Sequence, residues 1–266
     1  MDRMLNMCYA IEVIEGRLNG SSEEVEYNRT NFKNTTFTKK IGNRGMVSAV
    51  CQKRNIKEFM STVCGYEQNL KSKDGKQIKL LPDPMKYAAD DIFGFMLASK
   101  SELSEEDYNE LDDSQKAIYK KSKKTYIANI TKKRTSRLQM SSLVNVSNRR
   151  VQMDFHTCGS TTDALPYKLE TYSGVMSGIA NLNISQIGKY HISNTATEYR
   201  DYSEEEAESL DVKDLDKEER VKRIEAVLRG IEYLSVKGNQ TNHLTDTKPK
   251  FVIMADYSWE IMLFKE

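Results

Sequence analysis

Apolar side chains at the start of the chain fall on every second residue. Leu5, Met7, Tyr9, Ile11 and Val13 alternate with Asn6, Cys8, Ala10 and Glu12. That is the repeat of a half-buried strand, because successive side chains on an extended backbone point to opposite faces. Residues 16–45 pass through GRLNG into a stretch rich in Asn, Thr and Lys with no helical repeat, which predicts an extended, exposed loop. Between Met46 and Val63 the positions Val47, Val50, Ile56, Phe59, Met60 and Val63 predict a helix ending at Cys64-Gly65. LLPDPMKYAADDIFGFMLA predicts a short helix opening at Pro84 with Asp83 as its cap. Ser104 and Asp107 read as a capping box for a further helix, acidic first and basic last, ending near Lys124.

The strand-like RLQMSSLVNV follows, and then a stretch to Pro166 that fits a projecting hairpin. In residues 171–197 the small residues Ser173, Gly174, Ser177 and Gly178 predict a closely packed helix or turn leading into a strand with Leu182 and Ile184. Asp216 and Glu219 cap a helix with Val221, Ile224, Leu228 and Ile231 on one face, and FVIMADYSWEIMLF closes the chain as strand. Strands at the start, middle and end with helices between them predict an α+β fold with one sheet and a helical layer, a ferredoxin-like or RRM-type core.

Composition narrows the function classes. The chain has 266 residues, four prolines and 30% charged residues, which fits one large domain with insertions. No apolar run approaches the roughly 20 residues that a membrane-spanning helix needs. Asp2, Glu12 and Glu15 stand where a secretory signal would be apolar, so the expected location is cytoplasmic. Cys8, Cys51, Cys64 and Cys158 form no CxxC pair, and neither a zinc site nor a disulfide framework is indicated. His156, His191 and His243 lie in separate segments, and no HExxH, GxSxG or GxxxxGK[ST] run occurs. Neither catalysis nor a cofactor is therefore expected. The adjacent carboxylates of Asp90 and Asp91 diverge on any regular backbone, which favours a structural role over a metal pair.

A net charge of +1 hides a strong segregation. No Asp or Glu lies between Glu26 and Glu58, while Arg29, Lys33, Lys39, Lys40, Arg44, Lys53, Arg54 and Lys57 all do. Between Asp113 and Asp154 eleven Lys and Arg residues occur without a carboxylate. Surfaces that sit against phosphates are built by removing repulsive carboxylates as well as by adding cations, so a polyanion-binding face is expected. The competing account is two solvated basic faces. Asn19, Lys39, Lys40, Asn43 and Arg44 adjoin glycines, which let backbone N–H groups approach phosphates. Gln52, Lys53 and Arg54 interrupt an apolar helix and are expected to face outward. No aromatic RNP sequence is present, so contacts should be made to the nucleic-acid backbone.

Four blocks carry a resemblance: LNG with the basic loop into VSAVCQKRNIKEF, DDIFGFM, LPYKLETYSGVMSGIANLNISQIGKY, and GNQTNHLTDTKPKF before the last strand. In order and spacing they resemble the backbone subunit of type I-B CRISPR effector complexes, the DevR-like branch of the Cas-seven family. The resemblance implies one RRM-like domain over residues 1–266 with three insertions. These are a helical finger-like subdomain at about 65–130, a protruding thumb hairpin at 151–166 and an acidic surface insertion at 198–216.

It also implies a non-enzymatic subunit whose copies polymerise along a CRISPR RNA within Cascade, beside other Cascade subunits, and present the guide for pairing with a target DNA strand. Asn19, Arg29, Lys39, Lys40, Asn43, Arg44, Gln52, Lys53, Arg54, Arg134, Arg137, Gln139, Gln240, Asn242 and His243 would then line the guide groove. Met153, Phe155 and Leu165 would wedge beside a displaced base. Two alternatives stay open: a metal-dependent RNA-cleaving subunit using Asp154 or Asp163, and a stand-alone RNA-binding regulator.

Overall fold

A computed structural model of the protein describes residues 3–18, 20–23, 35–69, 72–74, 77–79, 82–110, 116, 119–122, 125–147, 149–158, 165–193, 201–236 and 244–257. Strand β1 (Met4–Gly16) leads into the short strands β2 (Gly20–Glu23), β3 (Thr35–Thr38), β4 (Lys40–Ile41) and β5 (Arg44–Val47), then helix α1 (Ala49–Thr62). A hairpin of β6 (Ser72–Asp74) and β7 (Gln77–Lys79) precedes helix α2 (Ala88–Phe93), strand β8 (Phe95–Leu103), helix α3 (Glu105–Glu110) and strands β9 (Lys120–Ser122) and β10 (Thr125–Arg134). Next come β11 (Leu138–Met140), β12 (Leu143–Asn145), β13 (Gln152–Cys158) and β14 (Leu165–Asn183), and the chain closes with α4 (Glu204–Ser209), α5 (Lys217–Glu232) and β15 (Pro249–Tyr257).

The main sheet runs β15-β1-β14, with β11 and β12 on the far side of β14 and β5 and β4 beyond β12. Within it β1 is antiparallel to β14 and β15, and β11 and β12 are antiparallel to β14. Helix α1 lies in sequence between β1 and β11, and α5 between β14 and β15. The alternation in β1 is realised: Met7, Tyr9, Ile11 and Val13 are buried in the main core with Ile56 and Met60 of α1 and Val227 and Ile231 of α5. Each such side chain contributes about 1.5–3 kcal/mol on burial. Ser48 caps α1 and Asp216 caps α5 through the Glu219 amide. The two helices touch closely because residue 230 is glycine; a Cβ there would sit 2.7 Å from Ile56 Cγ2.

Several expectations are corrected. The 171–197 segment is strand to Asn183 and not a helix, because the even positions Tyr172, Met176, Ala180 and Leu182 are the ones that join the apolar core, a period of two. The glycines and serines between them let neighbouring strands approach. Residues 16–45 form strands β2 to β5 where they are described, not an open loop. The helix capped at Ser104 is described over Glu105–Glu110, Lys116 is also helical, and Lys120 and Lys121 lie on β9, so the segment running to Lys124 is not one continuous helix.

Where residues 65–130 are described, strand outweighs helix: a three-stranded sheet of order β8-β10-β9 and the β6–β7 hairpin stand beside the short helices α2 and α3. Asp83 accepts from the Lys86 amide in a turn, and the helix itself begins at Ala88. The buried face of α5 carries Arg223, Ala226, Val227, Gly230 and Ile231, while Val221 is exposed. The acidic stretch is anchored: Asp201 and Tyr202 are buried, and Glu206 of α4 is ion-paired with Lys132 of β10. Among the described residues no helix is long and apolar enough to cross a membrane.

Candidate nucleic-acid interface

The β4–β5 hairpin turns through Gly42 and Asn43 and leaves Lys39, Asn43 and Arg44 exposed. Its tip is tied to the next basic segment, since the Val151 amide donates to the Asn43 carbonyl at 3.0 Å just after the exposed Arg149 and Arg150. Arg54 is exposed on α1. The Cys51 thiol is pushed up by burial, while Arg54 and Lys39 pull it the other way, so both cations stand within electrostatic reach of that thiol. Lys40 is committed differently. Its Nζ lies 2.6 Å from Oε1 of Glu170, whose other oxygen accepts from the Thr38 amide, so a carboxylate already neutralises that lysine.

A second cluster sits where β10 gives way to β11. Lys53 Nζ donates to Ser136 Oγ at 3.0 Å. Burial, and then the nearby Lys57, pull the Lys53 ammonium down from its ordinary value. A phosphate beside it would oppose both effects. Ser136, Arg137 and Gln139 line a cavity of about 260 Å³ together with Met4, Thr135, Asn181, Asn183 and Gln186. Two clusters of the predicted residues are thus assembled, one around Lys39, Asn43, Arg44 and Arg54, the other around Lys53, Arg137 and Gln139.

Two predicted contacts are removed. Gln52 is fully buried; it accepts from the Tyr9 hydroxyl and donates to the carbonyls of Val47 and Ser141, so it stitches α1 to the sheet. Arg134 is also buried and is held by Asp91 and Asp201, with further bonds to the Asp91 and Lys189 carbonyls. Asp91 also takes Arg223 at 2.8 Å and the Gly188 amide at 3.0 Å. Asp90, which accepts from Asn69 and the Asp83 amide, completes a structural role for that pair. Asn19, Arg29, Gln240, Asn242, His243 and Asp163 lie outside the described residues. Their expectations stay where the sequence left them.

The predicted hairpin forms between β13 and β14, from Gln152↔Thr171 to Cys158↔Leu165. Met153 is 44% and Phe155 65% exposed, and the Lys168 ammonium stands 5.0 Å from the Phe155 ring centre. Leu165 opens β14, and its side chain is outside the described residues. Asp154 accepts from Thr171 Oγ1 at 2.8 Å. Among the described residues no group of three or more His, Cys, Asp or Glu is placed to hold a metal ion. Sequence reasoning missed Glu170, at a buried strand position, and Asn181, Asn183 and Gln186, which carry no charge signal.

Comparison with known proteins adds three findings. No curated protein matches the sequence. A chain of a structure described as "CRISPR RNA-guided surveillance complex, pre-nicking" is similar at 11% identity with a TM-score of 0.55, covering 94% of this chain and 77% of that one. Another, described as "CRISPR RNA-guided surveillance complex", is 12% identical with a TM-score of 0.48, over 94% and 68%. The first of these likenesses shows a shared fold, a mixed α/β chain with a mostly antiparallel sheet and few helices. A family model described as "CRISPR-associated negative auto-regulator DevR/Csa2" matches residues 31–265. That span takes in most of the main sheet, both cation clusters and the hairpin, and the chain belongs to the DevR/Csa2 family.

Proposed function

We propose that the protein is a non-catalytic backbone subunit of a type I CRISPR surveillance complex that holds a guide RNA by its phosphates and sugars. The observation that carries this reading is the exposed cation strip of Lys39, Arg44, Arg54, Arg149 and Arg150, which the fold gathers from two carboxylate-free windows. Family membership supports it, as does the fold shared with a chain of an RNA-guided surveillance complex. The strand order β15-β1-β14-β11/β12, with two helices crossing on one face, is the ferredoxin-like order, and we read it as the palm. The β8–β10 region corresponds to fingers and the β13–β14 hairpin to the thumb, with Met153 and Phe155 as exposed wedges.

A subunit that must accept any guide sequence contacts phosphate and ribose and leaves base-pairing edges free for a target DNA strand. Copies of the chain would line up along the guide with other Cascade subunits. The test is nucleic-acid recovery from the purified protein in a host carrying its CRISPR array, followed by salt titration. Arg44→Ala and Arg54→Ala should each weaken RNA binding equally across guide sequences and lower the salt slope by about 0.7. Losses that depend on sequence would refute backbone recognition. A stand-alone regulator is the second reading, favoured by the words "negative auto-regulator" in the family description. It predicts selective recovery of one transcript or of promoter DNA in place of spacer-length RNAs.

A further inference from the structure

The cavity beside β11 is built on the sheet face opposite the helices, and Met4, Gln139, Asn181 and Asn183 of its lining belong to two cross-strand rows. In one, Asn6 of β1 pairs with Asn181 of β14, which pairs with Gln139 of β11. In the other, Met4 pairs with Asn183, whose amide donates to the Arg137 carbonyl. Directly opposed residues of an antiparallel pair put their side chains on one face, about 4.5–5.5 Å apart. Three amides therefore stand side by side, with Asn183 and Gln186 beside them.

Asn6 and Asn181 are 2% and 6% exposed, yet Asn6 Nδ2 and Asn181 Oδ1 have no hydrogen-bond partner among the described residues. Buried polar atoms left unpaired in this way are uncommon and costly. The wall includes the Arg137 guanidinium and Ser136, which receives Lys53, and no carboxylate.

We propose that this pocket receives the ribose of one nucleotide and reads its 2′-hydroxyl through Asn181, with Asn6 behind it as a positioning residue. The inference rests on the guide-binding reading above and goes further, because it assigns the basis on which RNA is told from DNA. Of the two orphan atoms, the one on the cavity's lining is an acceptor, Asn181 Oδ1. A phosphate oxygen only accepts and cannot satisfy Asn181 Oδ1, whereas a hydroxyl both donates and accepts. A base edge could do so too, but would tie the site to one sequence. Arg137 and Lys53 supply positive charge at the rim for the adjoining phosphate.

The full chain, freed of nucleic acid, is titrated with fluorescent oligonucleotides of one sequence carrying ribose, 2′-deoxyribose or 2′-O-methylribose, and with rA, rC and rU homopolymers. Wild-type protein should bind the ribose form about tenfold more tightly than either substituted form, with the three homopolymers alike. Asn181→Leu and Asn6→Leu should each abolish most of that ratio while leaving the salt slope unchanged, whereas Arg44→Ala should lower affinity for all backbones together and keep the ratio. Because the comparison of sugars needs only the wild-type protein, a variant that fails to fold does not decide the matter. Equal affinity for ribose and deoxyribose, or a ratio that survives both Asn variants, overturns the sugar pocket while leaving guide binding intact. Binding to none of the oligonucleotides overturns both.

Discussion

Replacing Asp91 by Asn keeps the shape of the side chain and removes its charge, at a site where that side chain has no solvent exposure. Asp91 accepts from Arg134 Nη2, from Arg223 Nη1 at 2.8 Å and from the Gly188 amide at 3.0 Å. It thereby fastens α2 to the end of β10, to the 184–188 turn and to α5. Burial alone would pull the Arg223 guanidinium down, and the charge and hydrogen bond of Asp91 more than offset that, leaving it raised. An amide presents a single acceptor oxygen and two donor hydrogens, so in the variant one guanidinium faces a donor. Breaking a buried ion pair by removing one partner costs about 3–5 kcal/mol.

Both arginines keep other partners here, Asp201 for Arg134 and Glu219 with the Pro84 and Met85 carbonyls for Arg223. The expected loss is therefore at the lower end, about 3 kcal/mol. Urea denaturation followed by circular dichroism measures it. A loss below about 1 kcal/mol would refute the view that a desolvated charge cluster clamps these elements. RNA affinity of the folded variant, measured below its melting temperature, should stay within about twofold of wild type. A large selective loss would return Arg134 to the guide-contacting set.

Other consequences follow from single contacts. Tyr9→Phe leaves the buried Gln52 Oε1 without its donor and should cost about 1–3 kcal/mol in urea denaturation, although no apolar contact is lost. Gly94→Ala forces a side chain onto a backbone at φ 69°, with its Cβ 2.3 Å from the Arg134 carbonyl oxygen. It should destabilise by about 2 kcal/mol or more, seen as a lowered melting temperature. For Glu206, burial raises the carboxyl, but the Lys132 hydrogen bond and charge with the Ser203 contacts lower it further, so its folded value lies below 4.5. Its contribution is therefore present above pH 4.5 and is lost as pH falls through the lower folded value. Glu206→Gln should flatten the decline of stability in that acid range while leaving the alkaline side unchanged.

How much was legible in the sequence depended on whether a signal was local. The β1 alternation, the helix read between Met46 and Val63 and the Asp216 cap were readable because each rests on a repeat or a side chain within a few residues. The β14 strand was misread because its small residues also satisfy a helical spacing, and the deciding fact, which positions are covered, comes from strands far away in sequence. The basic windows pointed to Lys39, Arg44 and Arg54, which the fold leaves exposed. Charge alone could not separate them from Lys40 and Arg134, whose carboxylate partners Glu170, Asp91 and Asp201 lie 43 to 130 residues away. The amide row was invisible for the opposite reason: Asn6, Gln139 and Asn181 meet only across three strands.

The strand β14 also sets the order in which this protein can become a protein at all. It borders β1, β3, β11, β12 and β13, so the centre of the main sheet cannot close before residue 183 is available. Met4 pairs with Asn183. At about 5–20 residues per second of synthesis, β1 therefore waits roughly 9–36 seconds with its β14-facing edge unpaired. Newly made chains carry that exposed strand for the whole interval, and a holding chaperone should find its target at Leu5 to Val13.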